Sequence, residues 1–156
     1  MSDREIFERL LAIVPTSDDD HGAVAACLVR EGEIVEEAVS RHLGTHAEYA
    51  LLQKLKQKNH NIKSGDAVYV TVEPCGKRTP GGKGEKMGSC TDNLIQAQVK
   101  RVVYAAADPD ASGLTRHKFA EAGATLEQFK DKEVIGKIVD LFNASCLDPK
   151  DFLPKP

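Results

Sequence analysis

The chain has 156 residues, with 21 Lys+Arg against 24 Asp+Glu for a formal net charge of −3, and it is 41% hydrophobic and 29% charged. That suits one domain of about 100 to 200 residues, which buries roughly two thirds of its unfolded surface without disulfide staples; two large domains and a disordered polyanion are excluded. Its apolar runs fall well short of the about 20 residues that cross a bilayer, and five Phe and three Tyr without Trp argue against a basic stacking surface for nucleic acid.

The amino end mixes charges with apolar residues and has no uninterrupted apolar core of an export signal, so a cytoplasmic location is expected. Residues 5–14 predict a helix with Ile6, Leu10, Leu11 and Val14 inward, ended by Pro15. Residues 16–21, with three consecutive Asp, read as a loop. Segments 23–29 and 33–39 predict two strands joined at Arg30-Glu31-Gly32, a hairpin signal. Residues 46–58 predict a helix with Ala47, Ala50, Leu51 and Leu55 on one face. The stretch 67–72 has few polar positions and reads as a central strand covered on both faces.

A Gly-rich loop follows over 76–89, then a helix over 90–99, a strand over 101–107, a helix over 114–122, a short strand over 125–129 and a last helix over 131–145. A helical crossover makes the last two strands parallel. The fold class is α/β: a three-layer α/β/α architecture on a mixed sheet of about five strands, with helices on both faces. Residues 1–146 form the single domain, and the tail 147–156, with Pro149, Pro154 and Pro156, is expected to be irregular and dispensable for folding.

Four cysteines in a reducing compartment point away from disulfides. Cys27 sits in an apolar run and Cys146 closes the stripe Ile138, Leu141, Phe142, so both read as small core residues. Cys75, just after the central strand, and Cys90, at a helix start, remain for chemistry, together with His46 and Glu48 at the start of another helix. Side chains at a helix start tilt toward its N-terminus, so His46, Glu48 and Cys90 can reach past their helix ends. One imidazole and two thiolates make a zinc site that leaves the fourth tetrahedral position for water, the catalytic arrangement. Two helix N-termini favour the negative charge that gathers there. Glu48 suits a proton carrier better than a further ligand. Two other readings stand beside this one: a Cys75/His46 nucleophile pair, which leaves Cys90 idle, and a closed structural zinc site with His42 as fourth ligand.

His46-Ala47-Glu48, then Thr71-Val72-Glu73-Pro74-Cys75 and a later Cys90, resemble the zinc-dependent cytidine deaminase superfamily, with its His-x-Glu and Pro-Cys signature. Arg78-Thr79-Pro80 inside the long loop between the two cysteines is similar to the deaminase domain of riboflavin biosynthesis. The resemblance implies a cytidine deaminase-like fold, zinc held by His46, Cys75 and Cys90, and Glu48 as the proton shuttle of a hydrolytic deamination that turns an exocyclic amine into a carbonyl. Backbone groups near Ala47 and Glu73 would hold the substrate's carbonyl and amine. The substrate implied is an aminopyrimidine nucleotide or nucleoside, and a homo-oligomer, a dimer first of all, is expected.

The chain departs from that pattern twice. His21-Gly22 stands where the family commonly has Asn-Pro beside the sugar, and a His still donates to a hydroxyl. The loop 81–89 is also longer, and 76–89 carries Lys77, Arg78, Lys83 and Lys86 against Glu85, so 4 − 1 = +3. Such a loop either closes on a substrate phosphate or is a mobile solvated loop. The alternatives are a cytidine or deoxycytidylate deaminase, a tRNA adenosine deaminase, which would want a longer basic track, and an inactive zinc-binding subunit, for which Glu48 has no use.

Overall fold

The structure is a computed structural model that describes residues 1–111 and 113–156 in full and residue 112 by its backbone. Helix α1 (Asp3–Ile13) begins two residues before the predicted start because Ser2 and Glu5 form a capping box. The Ser2 hydroxyl accepts the Glu5 N–H at 3.1 Å, and the Glu5 carboxylate accepts the Ser2 N–H at 3.0 Å. Pro15 ends the helix as predicted, with residues Val14–Thr16 tightening into a 3-10 turn. Phe7, unmarked by the sequence pattern, is fully buried, whereas Leu11 is only half-buried.

Strands β1 (Ala25–Arg30) and β2 (Glu33–Val39) pair antiparallel. Glu31 (φ 51°) and Gly32 (φ 77°) both take positive φ, the turn that follows the twist of a two-residue hairpin. Helix α2 (Ala47–Gln57) leads to β3 (Ala67–Val72), buried along its whole length. After the long loop come α3 (Cys90–Gln96), β4 (Arg101–Ala106), α4 (Ser112–Glu121), β5 (Thr125–Gln128) and α5 (Lys132–Ser145). Helix α3 stops three residues short of the predicted end. Gln98 turns left-handed (φ 64°) while its N–H reaches Ile95 O and that of Val99 reaches Leu94 O, both at 3.0 Å. Val99 is nonetheless buried, so it read as part of the helix's apolar stripe.

The sheet order is β2-β1-β3-β4-β5, with β1 antiparallel to β3 and β3, β4 and β5 mutually parallel. Helices α1 and α5 pack on one face over Cys27, Tyr69 and Val103. Helices α2, α3 and α4 cover the other over Leu28, Val70 and Val102. This is the expected three-layer arrangement. Cys27 is core as predicted, with burial pushing its thiol up to about 12. Among the described residues no helix is long and apolar enough to cross a membrane.

The C-terminal tail has one short 3-10 turn and no other regular structure. Asp148 caps a 3-10 turn at Pro149–Asp151, accepting the Lys150 N–H at 3.0 Å. Leu153 is buried in the α1/α5 core. The Asn143 side chain holds both backbone groups of Leu153, donating to its carbonyl at 3.1 Å and accepting its N–H at 2.8 Å.

Candidate active site

The carboxyl ends of β3 and β4 open on the edge of the sheet where α2 and α3 begin, the usual place for a ligand in an open α/β sheet. His46 is the N-cap of α2, Glu48 lies in its first turn, Cys75 follows β3 by three residues, and Cys90 opens α3. Ser89 caps α3 by accepting the Asp92 N–H at 3.0 Å. Two bonds tie the loop's ends together: the Thr91 N–H donates to Cys75 O at 3.1 Å, and the Cys90 N–H to Cys75 Sγ at 3.3 Å. The 14 residues between the two cysteines therefore do not separate them in space.

His46 Nδ1 lies 3.2 Å from Cys90 Sγ and 3.6 Å from Cys75 Sγ, and the three donor atoms lie within 4.8 Å of one another. Tetrahedral zinc at its usual bond lengths would set N···S at roughly 3.6 Å. The pocket of donors is therefore already the size of the ion, and a nitrogen with two sulfurs is a borderline-soft set suited to zinc. His42 stands apart, its Nδ1 2.6 Å from Asp18 Oδ2, so the closed four-ligand alternative fails. Cys90 lies against both His46 and Cys75, so a Cys75/His46 pair alone does not account for the cluster.

Electrostatics mark the same place. A hydrogen bond from Cys90 pulls the Cys75 thiol well below its usual range, with His46 adding to the effect. That same bond to Cys75, together with full burial, pushes Cys90 up. Burial lowers the affinity of His46 for a proton, but Cys75 and Glu48 outweigh it and the net shift is upward. Glu48 is only 3% exposed, and burial pushes its carboxyl up to about 6. Its proton is therefore exchangeable near neutral pH.

A cavity of about 400 Å³ opens on His46, Glu48 and Cys75. His21 and Glu73, both expected at the site, are in its wall. The Glu73 N–H is already taken by Ala106 O at 2.9 Å, and its Oε1 accepts the Asp108 N–H at 3.1 Å. Ala47 is fully buried in the α2 face against the sheet. Lys77, Arg78 and Lys83 line an adjoining cavity that shares His21, His46 and Asp151 with the first, whereas Lys86 lines neither.

Arg78 is spent on the protein itself. Its Nε donates to Gly88 O at 2.9 Å, Nη2 to Gly44 O at 2.9 Å, and Nη1 lies 2.8 Å from His46 Nε2. Nδ1, the ring nitrogen that faces both sulfurs, would be unprotonated as a zinc ligand, so the ring proton would then sit on Nε2 beside Arg78. The loop seats here because two glycines meet. A Cβ on Gly44 would fall 2.7 Å from Gly84 N, and one on Gly84 2.6 Å from Arg78 Nη1.

Sequence reasoning missed Asp19, Asp108, Asp110 and the tail residues 150–154, all in the cavity wall. The tail carried a signal in Asp148-Pro149, an N-cap followed by a proline at the first helical position. Asp19, one of three adjacent Asp, carried none.

A profile of the cytidine and deoxycytidylate deaminase zinc-binding region matches residues 1–106. Riboflavin biosynthesis protein PYRD, chloroplastic, of Arabidopsis thaliana is 31% identical over 137 residues, which are 83% of this chain and 29% of that protein. Riboflavin biosynthesis protein RibD of Aquifex aeolicus is 36% identical over 109 residues, 67% of this chain and 27% of its own length. The chain thus spans less than a third of these curated relatives. Among solved structures, an Aspergillus oryzae Rib2 deaminase in complex with DARIPP superposes with a TM-score of 0.75 at 20% identity, covering 95% of this chain and 93% of that one.

Proposed function

The chain belongs to the cytidine and deoxycytidylate deaminase zinc-binding family, and on that footing we propose that it hydrolyses the exocyclic amine of a pyrimidine-type base to a carbonyl. The observation that carries this is one cavity wall presenting His46, Cys75 and the buried Glu48, with Cys90 completing the donor set behind it. The relatives named for riboflavin biosynthesis, at 31 and 36% identity, favour an aminopyrimidine of that kind as substrate.

His46, Cys75 and Cys90 would hold zinc, which supplies the Lewis acidity that makes water a nucleophile near neutral pH. Everything else falls to the chain. The Glu48 carboxylate takes a proton from the attacking water and delivers it to the ring nitrogen beside the amine-bearing carbon. It then carries the second proton of that water to the departing nitrogen, so the oxygen stays on the carbon and ammonia leaves. A carboxyl titrating near neutral pH can do both, which an ordinary surface glutamate does poorly. The α2 N-terminus, with helical N–H groups that lack intrahelical acceptors, favours negative charge at the same point.

A nucleic-acid strand fits less well. Asp19, Glu48, Glu73, Asp108, Asp110 and Asp151 line the catalytic cavity against one lysine, Lys150, and a phosphate chain would be repelled.

Three measurements test the reading. Purified protein should hold about one zinc per chain, as three ligands with an open position imply. An ammonia-release screen over cytosine, cytidine, deoxycytidylate, guanine and the diaminopyrimidine ribotide should find a substrate. Glu48→Gln should keep the zinc and the fold while turnover falls by about 10²- to 10⁴-fold; full activity in that variant would refute the role.

A further inference from the structure

Among the described residues of α4, none lines the cavity that holds His46, Glu48 and Cys75. The helix nevertheless grips the segment that carries Cys75. Thr115, fully buried, donates its hydroxyl to Pro74 O at 2.8 Å. Three residues on, along the same helix face, Lys118 Nζ donates to Gly76 O at 2.6 Å and to Asp92 Oδ2 at 3.0 Å. Between those two carbonyls, Cys75 O accepts the Thr91 N–H at 3.1 Å. Three consecutive carbonyls are thus taken, two by α4 side chains and one by the residue that follows Cys90. Gly76 permits the close approach, since a Cβ there would fall 3.1 Å from both Thr115 Oγ1 and Leu114 Cγ. Asp92 lies in the first turn of α3, two residues past Cys90, so the Lys118 ammonium joins the two segments that bear the sulfurs.

We propose that Thr115 and Lys118 are positioning residues of the metal centre, fixing the Cys75 turn against α3 so that the Cys75 and Cys90 sulfurs stand at metal-binding separation before the ion arrives. The inference rests on the zinc reading above and extends it to side chains that touch neither metal nor substrate. Buried carbonyls ordinarily find donors. Here two side chains of one helix take the carbonyls on either side of a single candidate ligand, and one of them also reaches the helix that opens on the other. Cys75 lies three residues beyond the end of β3, outside the sheet's ladder. Without the grip of α4 its turn would have to be ordered when the metal binds, and that entropy would be subtracted from the affinity. Thr115 sets the direction of the turn through one hydroxyl. Lys118, with three donors on one ammonium, sets its distance from α3.

Thr115→Val removes the hydroxyl, and Lys118→Met removes the ammonium while keeping an apolar stem. The metal-free full chain and each variant are titrated with zinc against a chromophoric chelator, and with cobalt(II), whose thiolate charge-transfer and ligand-field bands report the coordination itself. Both variants should bind zinc about 10- to 100-fold more weakly than the parent, the usual loss when a group behind a ligand is removed, and both should shift the cobalt bands. Thr115→Ser should restore affinity and spectrum together. Denaturant titration of the metal-free proteins separates this from packing: lowered stability with parent zinc affinity and parent cobalt bands in both variants would overturn the clamp and leave the zinc site standing. If Thr115→Val does not fold, Lys118→Met, whose side chain is 27% exposed, decides alone. A parent chain that binds neither ion would overturn the zinc reading and the clamp with it.

Discussion

Arg78 was expected to bind substrate, and its bonding makes a different and measurable demand. Arg78→Ala deletes donors to Gly88 O and Gly44 O, bonds of 2.9 Å each, and removes a guanidinium nitrogen lying 2.8 Å from His46 Nε2. Hydrogen bonds from a charged group contribute about 1.5–3 kcal/mol each, but this side chain is half-buried and water replaces part of each, so the expected total is roughly 2–4 kcal/mol. For a chain of this size that lowers Tm by about 5–10 °C. The loop itself gives the sharper assay, because Lys77, Lys83 and Lys86 are trypsin sites within it. Once its fastening to Gly44 and Gly88 is gone, nicking should accelerate by about tenfold or more, since each 1.4 kcal/mol of opening free energy is a factor of ten in the open population. Arg78→Lys should behave like the alanine variant, because one point charge cannot reach both carbonyls in the fork geometry of a guanidinium. Unchanged nicking and Tm, with a raised KM for phosphorylated substrates, would refute this and return Arg78 to the substrate.

Two further perturbations probe the frame around the site. Gly22 holds φ at 117° in the cavity wall, and a Cβ there would fall 2.1 Å from the Phe142 ring; Gly22→Ala should cost about 2–5 kcal/mol by denaturant titration, from backbone strain plus overpacking, and parent-like stability would show that this turn relaxes freely. Asp66, 3% exposed, accepts bonds from Arg30 Nε and Nη2 at 2.9 and 2.8 Å and from the Lys63 N–H at 2.8 Å, and Arg30 holds its carboxyl below the usual range. A depressed folded pKa stabilises above the unfolded value of about 3.9, and that contribution disappears as pH falls through the folded value. Asp66→Asn should therefore lower stability by about 1.5–3 kcal/mol at pH 7 and by progressively less in acid, and a difference constant with pH would contradict the pairing.

What could be read from the residues follows from the range over which each feature is decided. Strands β2 and β3 match their predicted bounds because an alternating or fully apolar run bounded by turn residues is a local signal. The hairpin at Glu31-Gly32 is equally local. The zinc cluster was legible for another reason: His46, Cys75 and Cys90 each sit at the boundary of an element, so the order of helices and strands alone brings them to one sheet end. The tail was not legible, because the grip of Asn143 on Leu153 joins residues ten apart across a turn and has no periodicity. Nor was the destination of Arg78, since carbonyl acceptors at Gly44 and Gly88 are invisible in side-chain identities. Composition marked the loop as basic but could not show where its charge was used.

That distinction decides what the basic loop can offer a substrate. The +3 of residues 76–89 counts Arg78, whose nitrogens are turned to Gly88, Gly44 and His46, and Lys86, which lines neither cavity at the site. Lys77 and Lys83 are left, and Asp20, Asp151 and Glu85 share their cavity. Besides Lys150 in the inner wall, a phosphate would meet only those two lysines, reaching out from a ring held among carboxylates in the inner cavity. Solvent-exposed lysines near acidic groups attract an anion weakly and in a salt-dependent way. The inner cavity, by contrast, offers acceptors on several sides with Phe142 and Phe152 among its lining residues, which suits a planar ring bearing amino groups. On the proposed deamination, discrimination at this site would therefore fall first on the ring and its amines, and only second on whatever charge the ring's substituent carries.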